Sequence, residues 1–332
     1  MAEDLGFSES DMIKEEKSEV NESQLNIEKE SVDKLSHRAK FVRSMVSEFN
    51  KNSFLKNHFV AGVRSVSEFD KAYKYPDQYT ATRIDMENFP MELLELNGSD
   101  SPWVILQLHG GGYVGAFKNN YRNMAKFYSE AGKGAKVLTI DYRVAPEYVF
   151  PAALDDALCA YEWLLENGYT EENIILAGDS AGGGLAMALC HYLKDRGKML
   201  PKAIIGFSPW TDLTASGSSY TENVDKDPIF GHSKEDIINK STYIGEDEAT
   251  NPYISPLFGE FEGFPPMLIQ AGTHEMLLSD SSSVAEKAKA VGVDVTFTIY
   301  EGMFHVFQMV GYLIPESKKA WSQVGEFIDN LT

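Results

Sequence analysis

One serine lies where the surrounding residues favour a nucleophile. The apolar run of residues 174–177 is typical of a strand, and GDSAG, residues 178–182, follows it directly before a helical pattern. The backbone of such a strand-to-helix turn bends so sharply that side chains two positions before and after the serine would collide, and glycine removes that clash. The spacing therefore predicts that Ser180 is presented to a substrate as a nucleophile.

A serine hydroxyl is a weak nucleophile and needs a general base, which a carboxylate in turn orients. In the order serine, acid, histidine, each of these residues lies on a loop after a strand, and His305 follows an apolar run at residues 295–300. Glu275 and Asp280 both follow the run at residues 267–271 and are the candidate acids. We prefer Glu275, because Asp280 stands at the start of a helical pattern and has an alternative role as a helix N-cap.

A tetrahedral intermediate also needs hydrogen-bond donors for its oxyanion. The glycines of HGGGYVGAF, residues 109–117, follow a strand-like run and let the backbone approach a ligand closely. This run lacks the GK[ST] of a P-loop and the spacing of a dinucleotide fingerprint. We therefore predict that the N–H groups of Gly111, Gly112 and Ala181 are the oxyanion donors.

Composition restricts the class of partner. The 332 residues contain 30 Lys and Arg against 50 Asp and Glu, a net charge of −20, which argues against nucleic acid or an anionic membrane surface and favours an uncharged or cationic small molecule. The two cysteines, Cys159 and Cys190, have no metal-site or disulfide spacing. The N-terminus has no secretory signal pattern and no run is apolar enough to span a bilayer. We therefore expect a cytoplasmic protein.

The body of the chain alternates strand-like and helical patterns. This alternation predicts a mostly parallel sheet with helices on both faces and ligands beyond the carboxyl ends of the strands. Earlier, more amphipathic strands are expected around residues 80–96. The other expected strands are 103–108, 137–141, 174–177, 203–207, 267–271 and 295–300, and the expected helices are 36–50, 119–131, 151–167, 181–196, 279–291 and 315–330.

Two regions depart from this alternation. Residues 1–35 are acidic, with few aromatic residues, and read as a flexible or loosely docked extension. Residues 208–260 are too long for a simple connection and read as an insertion above the sheet.

Several side chains near the predicted nucleophile are candidate substrate contacts. Trp210 and Phe230 of the insertion could line an acyl pocket, or could equally pack the insertion onto the core. Tyr113, after the glycines, and Asp179, beside the serine, are further candidates.

The motifs together resemble the bacterial hormone-sensitive-lipase family of α/β-hydrolases, the family IV carboxylesterases. The segments that carry the resemblance are HGGGYVGAF, DYRVAPEYVFPAALDD, GDSAGG, SPWTDL, NPYISPLF and GMFHVF. The resemblance implies an α/β-hydrolase fold with a helical cap, Ser180 as nucleophile, His305 as base, no metal or organic cofactor, and a homodimer. It divides the chain into the extension, an N-terminal part of the cap at 36–75, a catalytic domain at 76–207 and 261–332, and the cap insertion at 208–260.

The chain departs from the family pattern at the acid. The family usually has Asp followed by Pro, whereas Glu275 and Met276 stand at those positions. Some members resemble this chain in using Glu. The acidic extension matches no pattern of the family.

The sequence therefore predicts a serine carboxylesterase that hydrolyses short- to medium-chain acyl esters through an acyl-enzyme. An amidase, a peptidase or a carbamate hydrolase would use the same three residues and remains an alternative. A ligand-binding relative that has lost the chemistry is a third hypothesis. Such relatives typically lose the base, and His305 is present.

Overall fold

The computed structural model of the protein describes residues 35–51, 66–232 and 241–331. Apart from Leu35, the predicted acidic extension lies outside the described residues. So do residues 52–65 of the predicted N-terminal cap region and residues 233–240 of the predicted insertion.

A single sheet forms the centre of the described part. Its strands are β1 Tyr79–Asp85, β2 Pro90–Leu96, β3 Val104–Leu108, β4 Lys136–Ile140, β5 Ile174–Asp179, β6 Ala203–Phe207, β7 Met267–His274 and β8 Val295–Phe304. They lie side by side in the order β1-β2-β4-β3-β5-β6-β7-β8. The first two form an antiparallel hairpin, β2 is antiparallel to β4, and the remaining neighbours are parallel. The predicted mostly parallel sheet is confirmed.

Helices connect and cover the strands. The α-helices are α1 His37–Lys51, α2 Asn119–Ala131, α3 Ala152–Glu166, α4 Ala181–Asp195, α5 Ser219–Glu222, α6 Leu278–Ala290 and α7 Pro315–Asp329. Short 3-10 helices occupy Glu171–Asn173, Thr242–Ile244, Pro256–Phe258 and Phe307–Leu313. Each predicted helix is present with its ends within one residue of the expected positions.

Successive strand residues enter two different hydrophobic cores. Leu106 and Leu176 pack with residues of α3, α4 and α6, whereas Ile105 and Ile175 pack with residues of α2 and α7 on the other face. Strands that are buried on both faces read as short continuous apolar runs, which is why the sequence reveals them. The parallel strands all end at one edge, and each predicted catalytic side chain comes just after a strand at that edge.

The last two strands are longer than the sequence predicts. Their expected ends were Ala271 and Tyr300, but the strands continue to His274 and Phe304, because they still pair beyond an irregularity in register between Gly272 and His274. Glu275 and His305 therefore follow their strands directly rather than lying further along a loop.

The predicted alternative role of Asp280 as a helix N-cap is wrong. Helix α6 begins at Leu278, with Leu277 at the N-cap, so that Asp280 lies within the first turn. Its buried carboxylate accepts hydrogen bonds from the amides of Thr211 at 2.9 Å and Asp212 at 2.8 Å. The carboxylate thus holds the chain after β6 instead of capping its own helix.

Helix α1 joins three parts of the molecule. The Ser36 amide and hydroxyl donate to the two carboxylate oxygens of Glu316 in α7, at 2.8 and 2.9 Å. Arg43 donates to a backbone carbonyl of β8 at 2.9 Å, and Asn50 donates to the Pro228 carbonyl of the insertion at 2.8 Å. The helix therefore connects the insertion to the end of the sheet that carries His305. The division into cap and catalytic domain remains a prediction.

Candidate active site

Ser180 occupies the turn between β5 and α4. Its φ of 51° and ψ of −122° are unusual for a residue with a side chain. A Cβ on Gly178 would overlap the backbone of Gly182, and a Cβ on Gly182 would overlap the Leu108 carbonyl of β3. The strand-to-helix turn that the glycine spacing predicts is present. Ser180 is only 7 % exposed, so the turn lies beneath other parts of the chain.

The glycine-rich loop after β3 lies against this turn. Gly111 and Gly112 have φ values of 116° and 64°, which favour glycine. The Gly110 amide donates to Asp179 Oδ1 at 3.2 Å, and a Cβ on Gly110 would overlap the Asp179 carboxylate. His109 is buried, and its Nδ1 donates to the carbonyl of the residue after it. The loop that carries two of the predicted oxyanion donors is thus held beside the nucleophile turn.

Glu275 and His305 form a buried pair. Glu275 Oε2 lies 3.1 Å from His305 Nδ1, and the two side chains are 0 % and 6 % exposed. The other carboxylate oxygen accepts hydrogen bonds from the Gly272 amide and from the Ser208 hydroxyl, the latter at 2.9 Å. Both residues follow parallel strands and lie at the same sheet edge as Ser180. The structure thus brings the preferred acid and the predicted base into contact.

Asp280, the alternative acid, has different partners. Its hydrogen bonds go to the backbone after β6, whereas the contact with His305 is made by Glu275. Burial raises the pKa of the Asp280 carboxyl well above its usual range. A carboxyl in this environment favours its neutral form.

Two polar side chains of the insertion hold the backbone of the acid. Asn223 donates to the Glu275 carbonyl at 2.8 Å, and the Met276 amide donates to Asp227 Oδ2 at 2.7 Å. All four residues are buried. The sequence analysis missed Asn223 and Asp227, because each lies about 50 positions from its partner and nothing in its own neighbourhood marks it.

Two aromatic side chains border the predicted reacting groups. The Phe230 ring lies 4.9 Å from the His305 ring, between centroids, and the Phe230 amide donates to Asp227 Oδ1 at 3.0 Å. The Trp210 ring lies beside the glycine loop, where a Cβ on Gly112 would be 3.8 Å from its Cζ3. Trp210 is 2 % exposed and its indole N–H donates to the Tyr220 hydroxyl at 3.1 Å, whereas Phe230 is partly exposed. The contact of either ring with substrate remains a prediction.

Tyr113 lies in the packed interior next to the glycine loop. Its ring stacks on that of Tyr243, with 3.9 Å between centroids, and the side chain is 1 % exposed. Its hydroxyl has no hydrogen-bond partner within the described structure, and burial raises its pKa. These surroundings are those of a core residue.

Asp179 is a buried carboxyl between the nucleophile turn and the glycine loop. Besides the Gly110 amide, it accepts a hydrogen bond from the Tyr121 hydroxyl at 3.4 Å. Burial raises its pKa to about 7, against the opposing effects of His305, the Gly110 amide and the Tyr121 hydroxyl. Its contacts are with protein groups, so it braces the loop against the turn.

Two other kinds of feature, a metal cluster and a membrane-spanning helix, are absent from the described ranges. Residues 35–51, 66–232 and 241–331 contain no cluster of His, Cys, Asp and Glu suited to a metal ion. The same ranges contain no helix with the length and apolarity needed to cross a bilayer.

The sequence also matches known proteins along most of its length. A family model described as alpha/beta hydrolase fold matches residues 105–309, which include every predicted catalytic residue. The chain belongs to the α/β-hydrolase family. The fold class that the sequence predicts is therefore confirmed.

Individual relatives indicate which kind of α/β-hydrolase this chain is. An acetyl-hydrolase of Streptomyces hygroscopicus is 37 % identical over 229 residues, which are 69 % of this chain and 76 % of the relative. An esterase of Acinetobacter venetianus is 34 % identical over 228 residues, 69 % of this chain and 75 % of the relative. A crystal structure of an esterase from the bacterial hormone-sensitive lipase family has a TM-score of 0.76 and 34 % identity, with 88 % of this chain and 97 % of that chain covered. The protein is a carboxylic ester hydrolase of that family.

The pKa of Asp179 leads to an expected pH dependence of stability. An ordinary aspartate has a pKa near 3.8, so between pH 4 and about 7 the folded state holds a proton at Asp179 that the unfolded state has lost. Stability therefore falls as the pH rises through this window and stays lowered above it. Asn cannot ionise, so the free energy of unfolding of Asp179→Asn relative to wild type should increase by up to about 4 kcal/mol across the window.

Urea unfolding at a series of pH values measures this difference. Asp100→Asn, at an exposed carboxyl, is the control for the change in net charge. A difference between Asp179→Asn and wild type that stays constant from pH 4 to 8 would contradict the expectation.

Proposed function

We propose that this carboxylic ester hydrolase is a serine esterase that works through an acyl-enzyme on Ser180. The observation that carries the proposal is the buried contact of 3.1 Å between Glu275 Oε2 and His305 Nδ1, at the sheet edge where the turn presents Ser180. A histidine held in this way keeps one ring nitrogen toward the acid and leaves the other for the nucleophile.

In the acylation step, Ser180 Oγ attacks the ester carbonyl while His305 Nε2 accepts its proton. This role requires that His305 carries its neutral-state proton on Nδ1, donated to Glu275 Oε2. The imidazolium that forms then faces the carboxylate in a site from which water is largely excluded, where the attraction between the charges is strong. The mechanism requires that Nε2 reach hydrogen-bond distance of Ser180 Oγ when substrate is bound.

The carbonyl oxygen becomes negatively charged during this attack. We assign its stabilisation to the N–H groups of Gly111, Gly112 and Ala181. Ala181 is the first residue of α4, and the free N–H groups at a helix N-terminus favour negative charge. The hydrogen bond from Gly110 to Asp179 supports this role, since it fixes the loop relative to the turn.

The remaining steps reverse these proton transfers. His305 gives its proton to the alkoxide leaving group, and the C–O bond of the ester breaks to leave an acyl-enzyme on Ser180. Water then donates a proton to His305 as it attacks the acyl carbon, and the proton returns to Ser180 Oγ when the carboxylic acid leaves. Every group that takes part in these reaction steps belongs to the chain, to the ester or to water.

We assign the substrates to short- and medium-chain acyl esters. The placement of Trp210 beside Gly112 supports this assignment, because an indole next to an assigned oxyanion donor leaves little room there for a long acyl chain. Phe230 stands beside His305 on the side of the insertion. The relative from Streptomyces hygroscopicus is named an acetyl-hydrolase, which also favours a small acyl group.

Replacement of the nucleophile is the first test. We expect Ser180→Ala to lose hydrolysis of p-nitrophenyl acetate and butyrate and to lose labelling by a fluorophosphonate, because the attacking oxygen is absent. Its thermal unfolding should stay close to that of wild type. Retained turnover of either ester, in a variant that folds, would refute the proposal. A matched amide substrate, assayed on the wild type, separates esterase from amidase activity.

The choice of acid is tested by an isosteric pair of variants. Glu275→Gln should lower kcat about 10³- to 10⁴-fold, because the amide does not stabilise the imidazolium of His305. Asp280→Asn should stay within a few-fold of wild type, since burial already favours the neutral form of that carboxyl. The measurement is kcat for p-nitrophenyl butyrate at pH 8. A larger loss in Asp280→Asn than in Glu275→Gln would reverse the assignment.

The role of Trp210 is tested with an acyl-chain series. Removal of the indole in Trp210→Ala should extend the pocket, so that kcat/KM for p-nitrophenyl octanoate rises about 10-fold relative to the acetate. The acetate serves as the internal control, because its acyl group carries only one methyl group. Phe230→Ala, on the other side of the site, provides a second comparison. An unchanged octanoate-to-acetate ratio in Trp210→Ala would remove Trp210 from the acyl pocket.

A further inference from the structure

Ser208 stands behind the acid and the base without being part of the predicted triad. It follows β6 directly and is 0 % exposed. Its hydroxyl donates to Glu275 Oε1 at 2.9 Å and accepts a hydrogen bond from the Val306 amide at 3.1 Å. Val306 is the residue after His305, so one hydroxyl contacts both the acid and the segment that carries the base.

The backbone at both ends of this contact is in the left-handed region. Ser208 has a φ of 46°, and Val306 has a φ of 52° and a ψ of 42°. A β-branched residue such as valine rarely adopts these angles, and the surrounding structure must hold it there. The Ser208 amide donates to the Gln270 carbonyl of β7 at 2.7 Å, which fixes the backbone from which the hydroxyl projects.

The Ser208 hydroxyl distinguishes the two carboxylate oxygens of Glu275. Glu275 Oε1 accepts hydrogen bonds from the Gly272 amide and from Ser208, whereas Oε2 faces His305 Nδ1. With two donors on one oxygen, rotation of the carboxylate would break both hydrogen bonds. The second oxygen is thereby directed toward the imidazole.

We propose that Ser208 is the positioning residue of this site, because its hydroxyl aims Glu275 at His305 and ties down the segment that carries His305. The proposal rests on the serine esterase function proposed above. Ser208 transfers no proton and does not contact substrate; it acts through Glu275 and Val306. Its removal would leave the buried Val306 amide without its acceptor and Glu275 Oε1 with one donor fewer.

The test uses two substitutions and a matched control. Ser208→Ala removes the hydroxyl, and Ser208→Gly removes it while allowing the positive φ at no steric cost. Ser255→Ala is the control, because Ser255 is also 0 % exposed and its hydroxyl accepts one backbone hydrogen bond, from the Leu213 amide at 2.8 Å, away from the reacting groups. Thermal unfolding of all three shows what each lost hydrogen bond does to stability.

We expect both Ser208 variants to lower kcat for p-nitrophenyl butyrate about 10- to 100-fold with little change in KM, by analogy with the loss of a hydrogen-bond partner behind a metal-ligating side chain. Ser255→Ala should retain the kcat of the wild type. The downfield proton resonance of the hydrogen bond from His305 Nδ1 to Glu275, assigned by its absence in Glu275→Gln, should shift or broaden in both Ser208 variants and stay in place in Ser255→Ala.

The outcomes separate this proposal from the one on which it rests. If Ser180→Ala hydrolyses the ester as fast as the wild type, the proposed function is refuted. The proton resonance still reports on the positioning role of Ser208 in that case. Wild-type kcat and an unshifted resonance in folded Ser208→Ala overturn the positioning role. If Ser208→Ala does not fold, the same two measurements on Ser208→Gly decide. A kcat that falls equally in Ser255→Ala also overturns it, since the loss would then follow from stability alone.

Discussion

The close approach of helix α4 to strand β3 is the constraint on which the site depends. Gly182, in the first turn of the helix, lies so near β3 that a Cβ would overlap the Leu108 carbonyl. The same approach places the loop after β3 against the nucleophile turn, where Asp179 accepts a hydrogen bond from Gly110. A larger residue at position 182 would move the helix outward, and with it the amide of Ala181. The proposed nucleophile and the proposed oxyanion donors are therefore positioned by one backbone contact.

The fold could be predicted to a large extent because its signals are local. Strands buried on both faces produce short apolar runs, and the helices between them have the period of one covered face. The ends of β7 and β8 could not be predicted in this way. Their last residues continue to pair only because the two strands lie side by side beyond the irregularity at Gly272. The sequence of one strand does not indicate which strand lies beside it.

The same distinction between local and distant signals applies to the candidate site. The positions of Ser180 and His305 after β5 and β8 could be predicted, because glycine spacing and the place of a residue after a strand are properties of neighbouring residues. Ser208 and Asp227 could not, since their partners lie tens of positions away in the chain. Asp280 shows how a local signal can mislead. The neighbouring sequence favours a helix cap, but the Asp280 carboxyl group accepts hydrogen bonds from two amides of a distant segment.

The Asp227 carboxylate links Phe230, a proposed substrate contact, to Glu275, the proposed acid. One of its oxygens holds the amide of Phe230, and the other holds the amide that follows the acid. If Phe230 borders the substrate as proposed, an outward displacement of this part of the insertion as a body would withdraw support from Glu275 while it widened the pocket. Under the proposed function, bulky esters would instead be accommodated by rotation of the Phe230 side chain or by movement elsewhere in the insertion. For the same reason, an insertion exchanged between relatives would carry part of the catalytic support with it, so this segment does not behave as an interchangeable module.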